Sequence, residues 1–157
     1  AFQLPHPDWW ILKFVQAAVA SGAPSLRFEF SDRQVRLLFE PLDAWDLDDI
    51  ERSLLEPRPD ANPSLDHLKQ GLWNCSFHQA HPFQLEIAGC DSKLVGVRGI
   101  QHRVSMKTAQ ATALTISFRQ LSRTSVILSL LNAKERYADL LRVLGERAAW
   151  TPIPFSI

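Results

Sequence analysis

The sequence has 157 residues, 46% of them hydrophobic and 22% charged, and its seventeen Lys and Arg balance seventeen Asp and Glu. A chain of that length buries roughly two thirds of its unfolded surface around one core, and its composition excludes a disordered segment. Zero formal charge excludes the cationic excess of a domain built to hold a nucleic-acid backbone, so no nucleic-acid partner is expected.

Asp8 reads as the N-cap of a first helix, with Trp9, Ile11, Leu12, Phe14, Val15, Ala18 and Val19 at helical spacing and Gly22 beyond the last turn. Adjacent Trp9 and Trp10 cannot share one helix face, so one of them meets a loop or a partner, and Trp9 is assigned to the core face. Leu26, Phe28 and Phe30, then Val35, Leu37 and Phe39, alternate with polar residues across a short turn and predict a hairpin with one buried face. Asp46 caps a second helix to about Leu55, closed by Pro57, Pro59 and Pro63. Ser64 or Asp66 opens a third helix with Leu65, Leu68, Leu72 and Cys75 on one face. A strand at 83–87, a turn at 89–92 and strands at 94–98, 103–107 and 113–119 follow. The pattern becomes helical from about 124 to 131, and again over 134–147 with Tyr137, Leu140, Leu141 and Leu144 inward. Helices grouped between hairpins predict an α+β two-layer sandwich, a sheet with helices on one face.

Cys75 and Cys90 do not make a disulfide scaffold, and the sequence shows no basic-then-apolar signal segment, so a reduced, cytoplasmic protein is expected. The longest apolar runs, 11–20 and 126–131, fall short of the ~20 residues that cross a bilayer, and no membrane partner is expected. The chain starts without Met and stops on a strand-like phrase at 152–157, which suggests a piece excised from something longer.

Few constellations carry chemistry. Gly96-Val97-Arg98-Gly99 lacks the spacing and following helix of a phosphate loop, and its glycines read as strand or turn positions. Cys75, His78, His81 and Cys90 offer zinc-type donors, but the spacing is not a standard one, and core and loop roles are preferred. Asp43, Asp46, Asp48 and Asp49 could collect magnesium, against the plainer reading of a solvated helix N-terminus. Ser, His and Asp are present without a nucleophile-elbow motif, and a hydrolase built on His78 or His81 has little to carry it. The tryptophans, Trp9, Trp10, Trp45, Trp73 and Trp150, could stack bases or sugars, but core packing is preferred for Trp9 and Trp73.

The order of elements and several local phrases resemble the ATPase domain shared by DNA gyrase, the ninety-kilodalton heat-shock chaperones, histidine kinases and MutL, the GHKL or Bergerat fold. In that family the first helix carries Glu-x-x-x-Asn-x-x-Asp-Ala-Gly-Ala. The stretch from Lys13 to Ala23 keeps this frame and a Ser-Gly-Ala ending. The resemblance puts the general-base glutamate on Lys13 and the magnesium-holding asparagine on Ala17, and neither replacement can do that work. It puts the adenine-reading aspartate of Asp-x-Gly-x-Gly on Phe39, with Glu40 or Asp43 as substitutes only if the register shifts. The segment 66–73 is similar to the glycine-bearing start of the family's next helix, with Gly71 retained where backbone amides meet phosphate. The segment 111–116 is similar to the late Gly-Thr strand, with Thr112 kept. The short connection from Pro57 to Ser64 stands where active members have a longer lid over ATP.

The resemblance implies a mixed, mostly antiparallel sheet, a degenerate ATPase-like domain over 1–120, a helical segment over 121–149, and the start of a further element or linker at 150–157. It implies a catalytically silent domain with no cofactor, acting as a structural or protein-interaction module beside protein partners or adjoining domains, within a longer chaperone-like protein. The alternative is a domain that keeps the cavity and binds a nucleotide weakly, or another small molecule, without hydrolysis. Lys13 would then give a charge to phosphate, although a solvent-facing helix position is the preferred reading.

Overall fold

A computed structural model of the chain describes residues 4–31, 34–43, 45–78, 81–107, 114–119 and 133–157. Seven strands form one sheet: β1 (Leu26–Ser31), β2 (Gln34–Phe39), β3 (Phe83–Glu86), β4 (Ser92–Val97), β5 (Ile100–Ser105), β6 (Leu114–Arg119) and β7 (Phe155–Ser156). The helices among the described residues are α1 (Trp10–Ala20), α2 (Leu47–Leu55), α3 (Pro63–Trp73) and α4 (Ala133–Arg147). The strand order is β5-β4-β3-β6-β2-β1-β7, and every pairing is antiparallel except β1 with β7. The expected α+β sandwich with a mixed, mostly antiparallel sheet is therefore the observed architecture. The helix expected at 124–131, and Thr112, lie outside the described residues.

Register explains the core. Phe28 pairs with Leu37, Leu37 with Ile116, Ile116 with Leu85 and Leu85 with Leu94, so one apolar row crosses five strands on one face. A second row joins Phe30, Val35, Phe118, Phe83 and Gly96. Gly96 is needed there, because a Cβ would come within 2.2 Å of the Phe83 ring. The period-two alternation puts Arg27, Glu29, Arg36 and Gln84 on the opposite face.

The helices cover the apolar face. Trp10 and Phe14 of α1 rest on Phe118, with ring centroids 5.0 and 5.1 Å away. The buried tryptophan of the adjacent pair is thus Trp10, not Trp9. A short 3-10 turn, Pro7–Trp9, precedes α1 and shifts the helical phase, so Asp8 does not cap α1. Trp9 instead stacks against His6 and lies under the Arg147 guanidinium.

Helix α1 ends in a Schellman motif: Gly22 N–H donates to the Val19 carbonyl and Ala23 N–H to that of Ala18, with Gly22 at φ +74°. Asn62, not Ser64 or Asp66, caps α3, its Oδ1 accepting from Ser64 N–H with Pro63 in the first turn. The cap lies upstream because Pro63, which lacks an N–H, suits the first helical position. Helix α3 runs on into a π-helical turn, Asn74–His78. Helix α4 packs at the far end of the sheet, where Tyr137 meets Phe30 edge-on at 5.2 Å and its hydroxyl donates to the Ser31 carbonyl.

Candidate functional site

Of the positions that the resemblance marks, Phe39 stands at the C-terminal end of β2, where the chain that follows meets the end of α1. Leu42 and Asp43 N–H groups both donate to the Ser21 carbonyl, tying that chain to the end of α1. Asp43 Oδ2 accepts from the Ser64 hydroxyl at 2.9 Å, which brings the start of α3 to the same place. Asp46 then turns the chain into α2, its carboxylate accepting from Asp49 N–H at 2.7 Å.

Phe39 stands at the end of β2, 3% exposed, paired with Leu26 on one side and Leu114 on the other. Trp45 closes over it edge-on, ring centroids 5.9 Å apart and planes at 89°. The Trp45 Nε1 is buried with no hydrogen-bond partner among the described residues. Ala17 is fully buried, and Gly71 approaches Phe14 so closely that a Cβ would lie 2.7 Å from the ring. Gly71 stands in the last turn of α3, whereas the amides that attract phosphate belong to a helix's first turn. The structure therefore gathers Ala17 and Phe39 into packed interior and uses Gly71 as the close-approach point of α1 and α3.

Lys13 is half-buried on the outward side of α1, in a groove of about 330 Å³ lined by Trp9, Leu12, Gln16 and Arg147. Burial pulls its pKa down and Asp66 opposes that shift. The same surroundings hold the His67 imidazole below its usual value, through burial first and Lys13 second, against Asp66. Asp66 itself is engaged in structure, accepting from Asp60 N–H at 2.9 Å and from Gln70 Nε2 at 2.6 Å. Lys13 is thus a partly buried cation on the groove side of α1, and Ala17 presents only a methyl group to the packed interior.

Residues 56–62 join α2 to α3, and Lys69 holds this connection down. The lysine is 1% exposed, and its ammonium donates to the carbonyls of Glu56 and Arg58, the latter at 2.5 Å. These are orphan acceptors just beyond the end of α2, and a cation there also answers the helix dipole. Sequence reasoning missed Lys69, although its place beside Leu65, Leu68 and Leu72 on one helix stripe was a visible signal of burial. Trp45 was visible only as one tryptophan among five.

The other candidate clusters separate. Asp49 pairs with Arg52 at 2.5 Å and Asp48 pairs with Arg103, so each carboxylate of the acidic run has its own partner. Cys75 is fully buried, and burial pushes its thiol well above its ordinary pKa, away from the thiolate that metals and nucleophilic chemistry require. His81 N–H donates to the Cys75 carbonyl, and its ring sits near Trp10 with its pKa lowered by burial against the pull of Asp8. Among the described residues no three His, Cys, Asp or Glu side chains converge as a metal site, and no helix is long and apolar enough to cross a membrane.

A seven-stranded mixed sheet covered on one face by helices has a GHKL-like fold, as the solved ATPase domains it resembles do. No protein-family model and no curated protein matches the sequence. Solved structures do match. The ATPase domain of the bacterial mismatch repair endonuclease MutL from Aquifex aeolicus is similar at 14% identity and a TM-score of 0.53, over 96% of this chain and 56% of that one. A point variant of the Aquifex aeolicus MutL ATPase domain gives 14% identity and a TM-score of 0.55, over 98% and 61%. The N-terminal domain of a DNA repair protein gives 11% and 0.53, over 86% and 42%. The chain thus spans about half the length of the structures it matches, and the likeness is one of fold.

Proposed function

We propose that this chain is a catalytically silent GHKL-fold domain that serves as a structural or protein-interaction module, beside further domains of a longer, chaperone-like protein. The observation that carries the reading is Phe39 packed under Trp45 at the end of β2, where the resemblance puts an adenine-reading carboxylate. Lys13 and Ala17 support it, since neither supplies the base or the metal-facing oxygen that hydrolysis of ATP needs. The connection held by Lys69 supports it further, because seven residues fastened at two carbonyls leave little chain to fold over a nucleotide. A reducing, cytoplasmic setting belongs to the same proposal and agrees with two unpaired cysteines. Phosphate release from Mg-ATP should stay at the level of a buffer blank. Turnover that disappears in a Lys13→Ala variant would overturn the reading.

One observation favours a second reading, binding without hydrolysis. Lys13 and Arg147 line the same open groove beside α1, and two cations on one groove suit an anionic small molecule. Saturable binding of a nucleotide without turnover, weakened by Lys13→Ala, would select it.

A further inference from the structure

A trough runs along the outward side of α1. The groove of about 330 Å³ that holds Lys13 continues into a second of about 400 Å³, because Leu12, Gln16 and Arg147 line both. The larger groove is walled by Val15, Val19 and Ala20 of α1 and by Ala148, Trp150 and Pro152, just beyond α4. From Leu12 to Ala20 the α1 wall is about 12 Å long at the helical rise. The far rim is fixed by its backbone, Thr151 N–H donating to the Ala148 carbonyl at 2.9 Å and Leu26 N–H to that of Pro154 at 3.0 Å. Trp150, on that rim, is nevertheless 90% exposed.

The lining carries charge of one sign. Lys13 and Arg147 are in it, and no Asp or Glu is, among the described residues. Neither cation forms an ion pair there: Arg147 lies over the Trp9 ring, and Lys13 feels only the field of Asp66. Asp66 stands outside the lining and accepts from Asp60 N–H and Gln70 Nε2. The acids beside Trp9 and Arg147 in sequence also have their own neighbours, Asp8 near His6 at 3.8 Å and Glu146 with Arg142 at 3.4 Å. His67 lines the larger groove with its Nδ1 buried and without a partner among the described residues. Burial and Lys13 keep its imidazole neutral at pH 7, so it adds a polar group and no charge. The two cations therefore stand in the smaller groove and at the shared middle, while the larger groove runs on between aliphatic walls. A few placed polar groups in a mostly apolar hollow of roughly 300–1,000 Å³ is the make-up of a small-molecule site. A nucleotide suits it poorly, because no carboxylate lines it to carry magnesium and the Trp9 ring is already engaged by His6 and Arg147.

We propose that this trough binds a medium-chain alkyl carboxylate, its head between Lys13 and Arg147 and its chain along Val15 and Val19 toward Trp150. The head gives two unpaired cations a shared counter-charge, and the Arg147 fork matches the two oxygens of a carboxylate. The chain takes apolar wall out of water, from Leu12 to the Trp150 indole. This rests on the reading of binding without hydrolysis and names the ligand class of that groove.

The test is a two-dimensional NMR titration of the full chain with hexanoate, octanoate and decanoate below micelle formation, with decanol and decyltrimethylammonium, and with an ATP analogue. Decanoate should give saturable shifts at Lys13, Gln16, Val19 and the Trp150 indole, and its terminal methyl a nuclear Overhauser contact to that indole. Affinity should fall about two- to fourfold for each methylene removed. Decanol and decyltrimethylammonium should bind more than about tenfold more weakly than decanoate. A Lys13→Gln, Arg147→Gln double variant should bring decanoate down to the level of decanol, with spectral dispersion verifying the fold. Equal binding of decanol, no dependence on chain length, shifts away from the trough, or no binding of decanoate would each overturn the proposal. Saturable binding of the ATP analogue beside absent decanoate binding would overturn the ligand class and leave the reading of binding without hydrolysis intact. Absence of both would overturn that reading as well.

Discussion

Lys69 and Phe39 are the two side chains on which the local account turns. Lys69→Met keeps the apolar stem but leaves the Glu56 and Arg58 carbonyls without their ammonium, a loss of about 2–4 kcal/mol. Urea unfolding reads it directly, and a change under 0.5 kcal/mol, on the order of an ordinary surface substitution, would contradict the role. Phe39→Asp places a carboxylate where the resemblance wants one, yet the site is 3% exposed and closed by Trp45. It should cost more than about 3 kcal/mol and bring no nucleotide affinity. A stable variant that binds ATP would show the opposite. His81 and His67 are both held below the ordinary value of 6.5 by burial. Above pH 6.5 neither state takes up these protons. Below it the unfolded chain protonates first, so stability falls with pH from about 6.5 downward. His81→Gln should flatten the dependence of the urea midpoint between pH 7.5 and 5.5, and an unchanged slope would remove His81 from the account.

At the scale of elements, the contact between α1 and α3 is set by Gly71. In an isolated helix Gly to Ala is favourable by about 1 kcal/mol. Here the new methyl would meet Phe14, which is fully buried with Trp10 and Phe118 beside it and cannot swing aside. Gly71→Ala should therefore destabilise, by about 1–3 kcal/mol in thermal or urea melts. A stabilised variant would mean that α1 and α3 can part. Elements with a local signal were legible in the sequence: the β1–β2 hairpin through its alternation, α2 through Asp46, α4 through its helical spacing. The start of α1 was misread because a 3-10 turn has a different period, which exchanged the roles of Trp9 and Trp10. Strand β7, two residues paired in parallel with β1, falls in the strand-like phrase at 152–157, but its pairing with a strand far away in the chain left no local signal.

For the whole molecule, the order of elements pointed to the fold although the motifs behind it had changed. The stretch from Lys13 to Ala23 does structural work at its end, Gly22 supplying the left-handed residue that lets α1 turn back toward β1. Ala17 and Phe39 are packed interior, at the two positions where the resemblance expects polar residues. The trough along α1 was not legible, because its walls come from α1, α3 and the chain around the end of α4 and meet only in the folded chain. The central claim is that the ATPase-like interior is closed. Titration of the chain with a non-hydrolysable ATP analogue and Mg²⁺, followed by the tryptophan fluorescence that Trp45 and Trp10 report from that interior, tests it most directly. The account predicts a flat signal to millimolar analogue and an unchanged Tm, whereas a saturable change with a matching rise in Tm would contradict it.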